Sequence, residues 1–145
     1  SPLFVHRDNL CLLPSDEELY WYDFQAPKTG DLKEFAKDLL SVIDQNENLP
    51  KFDYCIADCP PAFNSLSFSV VSNSDLVLIP IGGNFTMAPD DAAFALKTWV
   101  KPKMVMPMHY NSNPMTKGTL AEFQAAMKGS SIKIIPMTEG ETVQF

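Results

Sequence analysis

Residues able to do chemistry follow three apolar segments of this chain. Asp58 closes the first segment, the pair Gly82-Gly83 follows the second, and His109 ends the third. If the three segments are parallel strands, their carboxyl ends meet at one edge of a sheet, where ligands of α/β proteins bind. A neutral imidazole and a carboxylate are both ligands for divalent cations, and protons compete with the metal for the imidazole. A functional site is therefore expected at this edge.

The cysteines do not form a metal-binding pattern. There are three of them, Cys11, Cys55 and Cys59. On an extended strand, side chains four residues apart lie about 13 Å from each other, because each residue advances the strand by about 3.3 Å. Cys55 and Cys59 could not share one ion there, so we expect small buried side chains. The odd number favours a reducing, cytoplasmic setting over a disulfide framework.

Short apolar segments alternate with segments of helical period. We expect strands at residues 10–13, 52–58, 75–81, 103–109 and 131–137, with a weaker edge strand at 141–145. Four of the strand segments are almost wholly apolar without alternation, which is typical of strands covered on both faces. On one strand face, Met104, Met106 and Met108 are expected to fill the core.

Helix start signals lie between the strands. Ser15 opens a capping box, and a second helix follows Asp31. A third helix at residues 62–71 should turn Phe63, Leu66 and Val70 inward. Pro89 begins a fourth helix, and Thr119 caps a fifth that stops at Gly129. The sequence thus predicts the α/β class: a three-layer α/β/α sandwich with a mostly parallel sheet of about five strands. We expect one domain spanning residues 1–145.

The charge of the chain argues against some partners. The formal net charge is −7 at pH 7, and the isoelectric point is near 4.6. An acidic surface repels phosphate backbones and anionic lipid, so we expect neither nucleic-acid nor membrane binding. No apolar run approaches the roughly 20 residues that a membrane-spanning helix needs. The start at Ser1 without a methionine suggests a processed chain that lacks upstream residues.

Residues 1–81 resemble the ParA/MinD family of partition ATPases. The resemblance lies in residues 54–61 (Tyr-Cys-Ile-Ala-Asp-Cys-Pro-Pro) and in residues 74–81 (Ser-Asp-Leu-Val-Leu-Ile-Pro-Ile). It implies that Asp58 corresponds to the aspartate that holds magnesium near the nucleotide phosphates. The glycine-rich loop with a lysine that cradles those phosphates does not occur in these 145 residues. We therefore expect no nucleotide hydrolysis.

Residues 75–145 are similar to the C-terminal half of metal-dependent hydrolases of the metallo-β-lactamase fold. The similarity includes residues 80–87 (Pro-Ile-Gly-Gly-Asn-Phe-Thr-Met) and residues 101–110 (Lys-Pro-Lys-Met-Val-Met-Pro-Met-His-Tyr). It implies that His109 matches the last metal-ligand histidine of that family. The family's main ligand loop, His-x-His-x-Asp-His, is absent, and His6 is the only other histidine here.

The two resemblances meet at equivalent elements, an aspartate, a helix and an apolar strand. Asp58 then falls where the hydrolases have a metal-bridging aspartate, so Asp58 and His109 would face one crevice and bind zinc or another divalent metal weakly. Our leading hypothesis is a catalytically incomplete chimera of two half-domains, without ATPase or full hydrolase activity. One alternative is a metal-dependent hydrolase that uses His109 and Asp58, with a metal-bound water as nucleophile. The other is a module for self-association, as a homo-oligomer, or for partner binding.

Overall fold

The computed structural model describes residues 4–7, 10–12, 34–45, 47, 51–62, 64–112 and 114–144. The chain divides into two compact units, Ser1–Asn73 and Ser74–Phe145. The helix expected at residues 15–22 lies outside the described residues. The single domain expected over residues 1–145 stays a prediction.

The first unit begins with two short strands. Strand β1 (Phe4–Arg7) pairs with strand β2 (Leu10–Leu12) in an antiparallel arrangement, with Val5 opposite Cys11. A strand near residue 10 was predicted correctly, but its place in a parallel sheet was wrong. Only two residues separate β1 from β2 along the chain, and so short a connection permits only antiparallel pairing.

Helices α1 (Glu34–Gln45) and α2 (Ser65–Asn73) contact each other in this unit. The buried side chains of α2 are Ser67 and Ser69, whereas Leu66 and Val70 are only half-buried. The prediction of an inward face carrying Leu66 and Val70 was therefore wrong. The reason is a contact with α1, because the Ser69 hydroxyl accepts a hydrogen bond of 3.1 Å from the Ala36 N–H. The first turn of a helix has N–H groups without intrahelical partners, and Ser69 satisfies one of them.

Residues 52–58 do not form the predicted strand. They have no regular secondary structure, and the side chains of Tyr54 and Ile56 are 78% and 94% exposed. Cys55 is exposed as well, which corrects the expectation that it is a small buried side chain. An apolar run has strand propensity, but its backbone needs a neighbouring edge to pair with, and the run itself does not provide one.

The second unit contains a parallel sheet. Strands β3 (Leu76–Pro80), β4 (Met104–Met108) and β5 (Lys133–Ile134) lie in the order β3-β4-β5, with Leu76 opposite Met104. The α/β class with a parallel sheet is thus confirmed. The sheet has three strands among the described residues, against about five expected.

The edge strand predicted at the C-terminus is not formed by residues 141–144. Glu141 is held in a turn instead. Its carboxylate accepts a hydrogen bond of 2.9 Å from the Thr138 N–H, and its own N–H donates to the Thr138 carbonyl oxygen at 3.0 Å. The Glu141 N–H is therefore engaged in the turn and does not pair with a strand.

Two helices pack together beside this sheet. Helix α3 (Pro89–Ala95) continues into a π-helical turn at Leu96–Val100 and contacts helix α4 (Leu120–Ala126). Both predicted starts are confirmed, since Pro89 opens α3 and a Thr119 capping box opens α4. Among the described residues, no helix combines the length and the apolar character required to cross a membrane.

The core of the second unit lies on one face of the sheet. Fully buried side chains include Leu96, Val105 and Phe123. On β4 the buried residues are Val105 and Pro107, while the three methionines on the opposite face are half-buried. The methionines therefore do not fill this core as predicted, because α3 and α4 supply the apolar partners for the other face.

Candidate functional site

His109 immediately follows β4, at the carboxyl end of the parallel strands. Its side chain is exposed, and its backbone has a φ of 61°. A residue with a Cβ adopts this left-handed conformation at a cost of roughly 1–2 kcal/mol. Asn84 and Asn111, in the loops that follow β3 and β4, also have positive φ, at 59° and 54°. Strained backbone of this kind is common at functional sites. Three of the four non-glycine residues with positive φ in the described part of the chain lie at this edge, and the fourth, Lys101, precedes β4 at the opposite end of the strand.

The loop after β3 presses against the His109 backbone. A Cβ on Gly82 would lie 2.5 Å from the His109 carbonyl oxygen and 2.9 Å from the Thr116 methyl group. Only a residue without a side chain fits between them. The Gly82 carbonyl oxygen accepts a hydrogen bond of 3.0 Å from the Gly118 N–H. The loops that follow β3 and β4 are therefore packed backbone to backbone.

The turn after Gly82 is tight, as the sequence predicted. Gly83 has a φ of 70°, and its carbonyl oxygen accepts a hydrogen bond of 3.2 Å from the Thr86 N–H. The Gly83 N–H donates in turn to the Met87 carbonyl oxygen at 3.0 Å. These bonds carry the chain from β3 to Pro89 at the start of α3.

The segment after His109 is anchored in two places. The Ser112 hydroxyl donates to the His109 carbonyl oxygen at 3.3 Å and lies 3.3 Å from the Thr116 hydroxyl. The Tyr110 hydroxyl donates to the Met137 carbonyl oxygen and accepts a hydrogen bond of 3.2 Å from the Met137 N–H. The position of the His109 backbone is thus fixed from both sides.

An open cleft of about 510 Å³ lies at this edge. It is lined by Asn84, Pro114, Met115 and Lys117. Neither Lys117 nor the cleft was predicted from the sequence. The position of Asn84 directly after two glycines was a sequence signal for the left-handed turn at the cleft, because asparagine tolerates left-handed backbone better than most residues.

Asp58, the second predicted ligand, is exposed and lies in the first unit, whereas His109 lies in the second. The surroundings of each residue are therefore given within its own unit. Burial raises the pKa of the neighbouring Cys59 thiol, and the negative charge of Asp58 raises it further. Of the two predicted ligands, His109 is the one that lies in the same unit as the strand edge.

The described residues do not fit a complete metal centre. Catalytic zinc has three protein ligands in most enzymes. Among the residues that the structure describes, no group of three or more histidine, cysteine, aspartate or glutamate side chains could hold an ion. His109 supplies one imidazole, so further ligands would have to come from elsewhere.

Part of the chain is similar to metal-dependent hydrolases. It is 93% identical over 71 residues to the UPF0173 metal-dependent hydrolase of Polynucleobacter asymbioticus and 51% identical over 71 residues to that of Polaromonas. Each match covers 49% of this chain, and the chain spans about a quarter of the length of these relatives. Igni18, a metallo hydrolase from Ignicoccus hospitalis, is a similar solved structure. It has 39% identity and a TM-score of 0.45, over 49% of this chain and 30% of that one.

A family model described as an AAA domain matches residues 4–89. The match includes the segment that resembles the partition ATPases and extends past β3 to the start of α3. The match covers more than half of the chain. The chain therefore belongs to the AAA domain family.

Proposed function

We propose that this chain contributes to metal-dependent hydrolysis, with His109 as a ligand of the divalent metal. The observation that carries the proposal is the identity of 93% over 71 residues with a protein named a metal-dependent hydrolase. The segment from Asp75 to Phe145 has this same length and contains His109. The similarity favours this function over the leading hypothesis of a catalytically silent chimera.

The position of His109 supports its role as a ligand. It is exposed at the carboxyl end of β4, and its backbone is held by the Gly82 contact and the Ser112 hydrogen bond. A fixed backbone reduces the conformational entropy that a ligand side chain loses when it binds an ion. Asp58 is the proposed second ligand, by its correspondence to the bridging aspartate of the hydrolases.

The chimeric origin belongs to the same proposal. The AAA domain match ends at residue 89, and the hydrolase-like segment that we infer begins near residue 75. The two overlap on β3, a strand that both families would supply. A join at a shared strand keeps its pairing with β4 intact.

Zinc calorimetry on the whole chain tests the proposed function. We expect binding that His109→Ala abolishes, that Asp58→Asn weakens and that His6→Ala, the matched histidine control, leaves unchanged. The same three variants should affect zinc-dependent hydrolysis of a panel of chromogenic phosphodiesters, esters and lactams in the same way. His109→Ala should abolish it, Asp58→Asn should weaken it, and His6→Ala should leave it unchanged. Equal zinc affinity in wild type and His109→Ala would refute the ligand role.

A further inference from the structure

The cleft beside His109 combines one cation with one amide and two apolar side chains. The ammonium group comes from Lys117, the amide from Asn84, and the apolar walls from Pro114 and Met115. All four side chains are exposed. In this strongly acidic chain, the charge that faces the cleft from its lining is therefore positive.

The framework around the cleft holds Lys117 in place. Its two neighbours in the chain, Thr116 and Gly118, both lie against Gly82. The Gly118 N–H also donates to the Gly82 carbonyl oxygen at 3.0 Å. Asn84 is two residues beyond Gly82, in a left-handed conformation with a φ of 59°. The contacts of Gly82 therefore bring both polar residues to one cleft.

The ammonium group of Lys117 has no anionic partner in the described part of the chain. Lys51 pairs with Asp44 at 3.1 Å, and Lys103 pairs with Asp75 at 2.6 Å. Other exposed lysines, such as Lys128, also have no ion pair among the described residues, so what sets Lys117 apart is its place in the cleft. An unpaired ammonium and an amide that line the same cleft can provide an ion pair and a hydrogen bond to one oxyanion.

We propose that this cleft binds the anionic oxygen group, a carboxylate or a phosphate, of an organic ligand. Lys117 pairs with the anion, Asn84 donates a hydrogen bond to it, and Pro114 and Met115 contact the apolar part of the molecule. Because the neighbours of Lys117 contact Gly82, which lies against the His109 backbone, the ligand is assigned as substrate of the hydrolase, and this assignment rests on the proposed function. The binding step itself requires no metal.

Titration with benzoate and with phenyl phosphate, followed by NMR in the presence of EDTA, tests this proposal on the whole chain. We expect chemical-shift changes centred on Asn84 and Lys117. Lys117→Met should bind about fivefold more weakly, because it loses one exposed ion pair with the ligand. Lys117→Arg should bind like wild type. Lys128→Met removes an exposed lysine that does not line the cleft, and it should have no effect.

The two probes and the EDTA condition separate the outcomes. A preference for one probe identifies the anion, and loss of binding in Lys117→Met with either probe supports the site. Equal weakening in Lys117→Met and Lys128→Met, or absence of binding to wild type, would overturn it. Because zinc is excluded, a failure here leaves the metal-binding test of His109 independent.

Discussion

At the scale of single residues, His109 combines an exposed imidazole with a backbone conformation that disfavours any side chain. A residue that served only the fold would be more stable as glycine at this position. Its identity therefore costs stability, and the cost is understandable if the imidazole has a function.

The conformational cost at His109 can be measured with a pair of variants. His109→Gly should be more stable than His109→Ala by about 1 kcal/mol in urea unfolding, because both lose the imidazole but only alanine keeps a Cβ. The same pair at Gln124, an exposed residue in α4, should show the reverse order, since helical backbone favours alanine. Equal stability of the two His109 variants would mean that the left-handed conformation is not strained.

The raised pKa of Cys59 makes a second prediction at this scale. Burial and then the charge of Asp58 disfavour the thiolate, which is the form that reacts with alkylating reagents. Asp58→Asn removes one cause, lowers the pKa of Cys59 and should speed its alkylation by iodoacetamide at pH 8. Tandem mass spectrometry that assigns the modification from fragment ions can follow Cys59 separately from Cys55. Asp53→Asn, in the same exposed segment, should not change the rate by as much, and an equal effect would contradict the role of Asp58.

At the scale of elements, the predictions that succeeded depend on local chemistry. Thr119 and Glu122 form the expected capping box, with the Thr119 hydroxyl accepting from the Glu122 N–H at 3.2 Å. Pro89 begins α3 for a similarly local reason, since its missing N–H would have no helical partner there. Such signals act within one turn and can be read from the sequence.

Loss of the cap gives a prediction for α4. Thr119→Ala should lower the free energy of unfolding by about 1 kcal/mol, because the Glu122 N–H loses its side-chain acceptor. Thr119→Ser keeps the hydroxyl and should retain most of the stability. Thr98→Ala, at an exposed position in the π-helical turn, provides the comparison. An effect at Thr119 no larger than at Thr98 would show that the cap does not stabilise the helix.

The elements that the sequence predicted wrongly depend on partners distant in the chain. Residues 52–58 have a strand-like composition but form no strand, because strand formation requires an edge that composition does not specify. Ser69 is buried because the Ala36 N–H, 33 residues away, needs its hydroxyl. The candidate site divides in the same way. His109 and the Gly82 turn were predictable, whereas the cleft with Lys117 depends on how two loops pack.

At the scale of the whole molecule, charge and apolar exposure oppose each other. The net charge of −7 makes copies of the chain repel one another at neutral pH. Several large apolar side chains are nevertheless exposed, among them Ile56, Leu78 and Phe85. Contact between such side chains would favour association wherever the repulsion is weakened.

Self-association should therefore depend on pH and salt. We expect light scattering to give the mass of a monomer at pH 7 and low salt, and a larger mass as the pH falls toward the isoelectric point near 4.6. Added salt at pH 7 should act in the same direction by screening the like charges over a Debye length of about 10 Å at 0.1 M. Two variants, Ile56→Ser in the first unit and Leu78→Ser in the second, each remove an exposed apolar side chain without changing the net charge. The variant that suppresses association identifies the surface involved. A mass that stays that of a monomer across pH, salt and protein concentration would exclude association through apolar contacts, and the homo-oligomer hypothesis would fail with it.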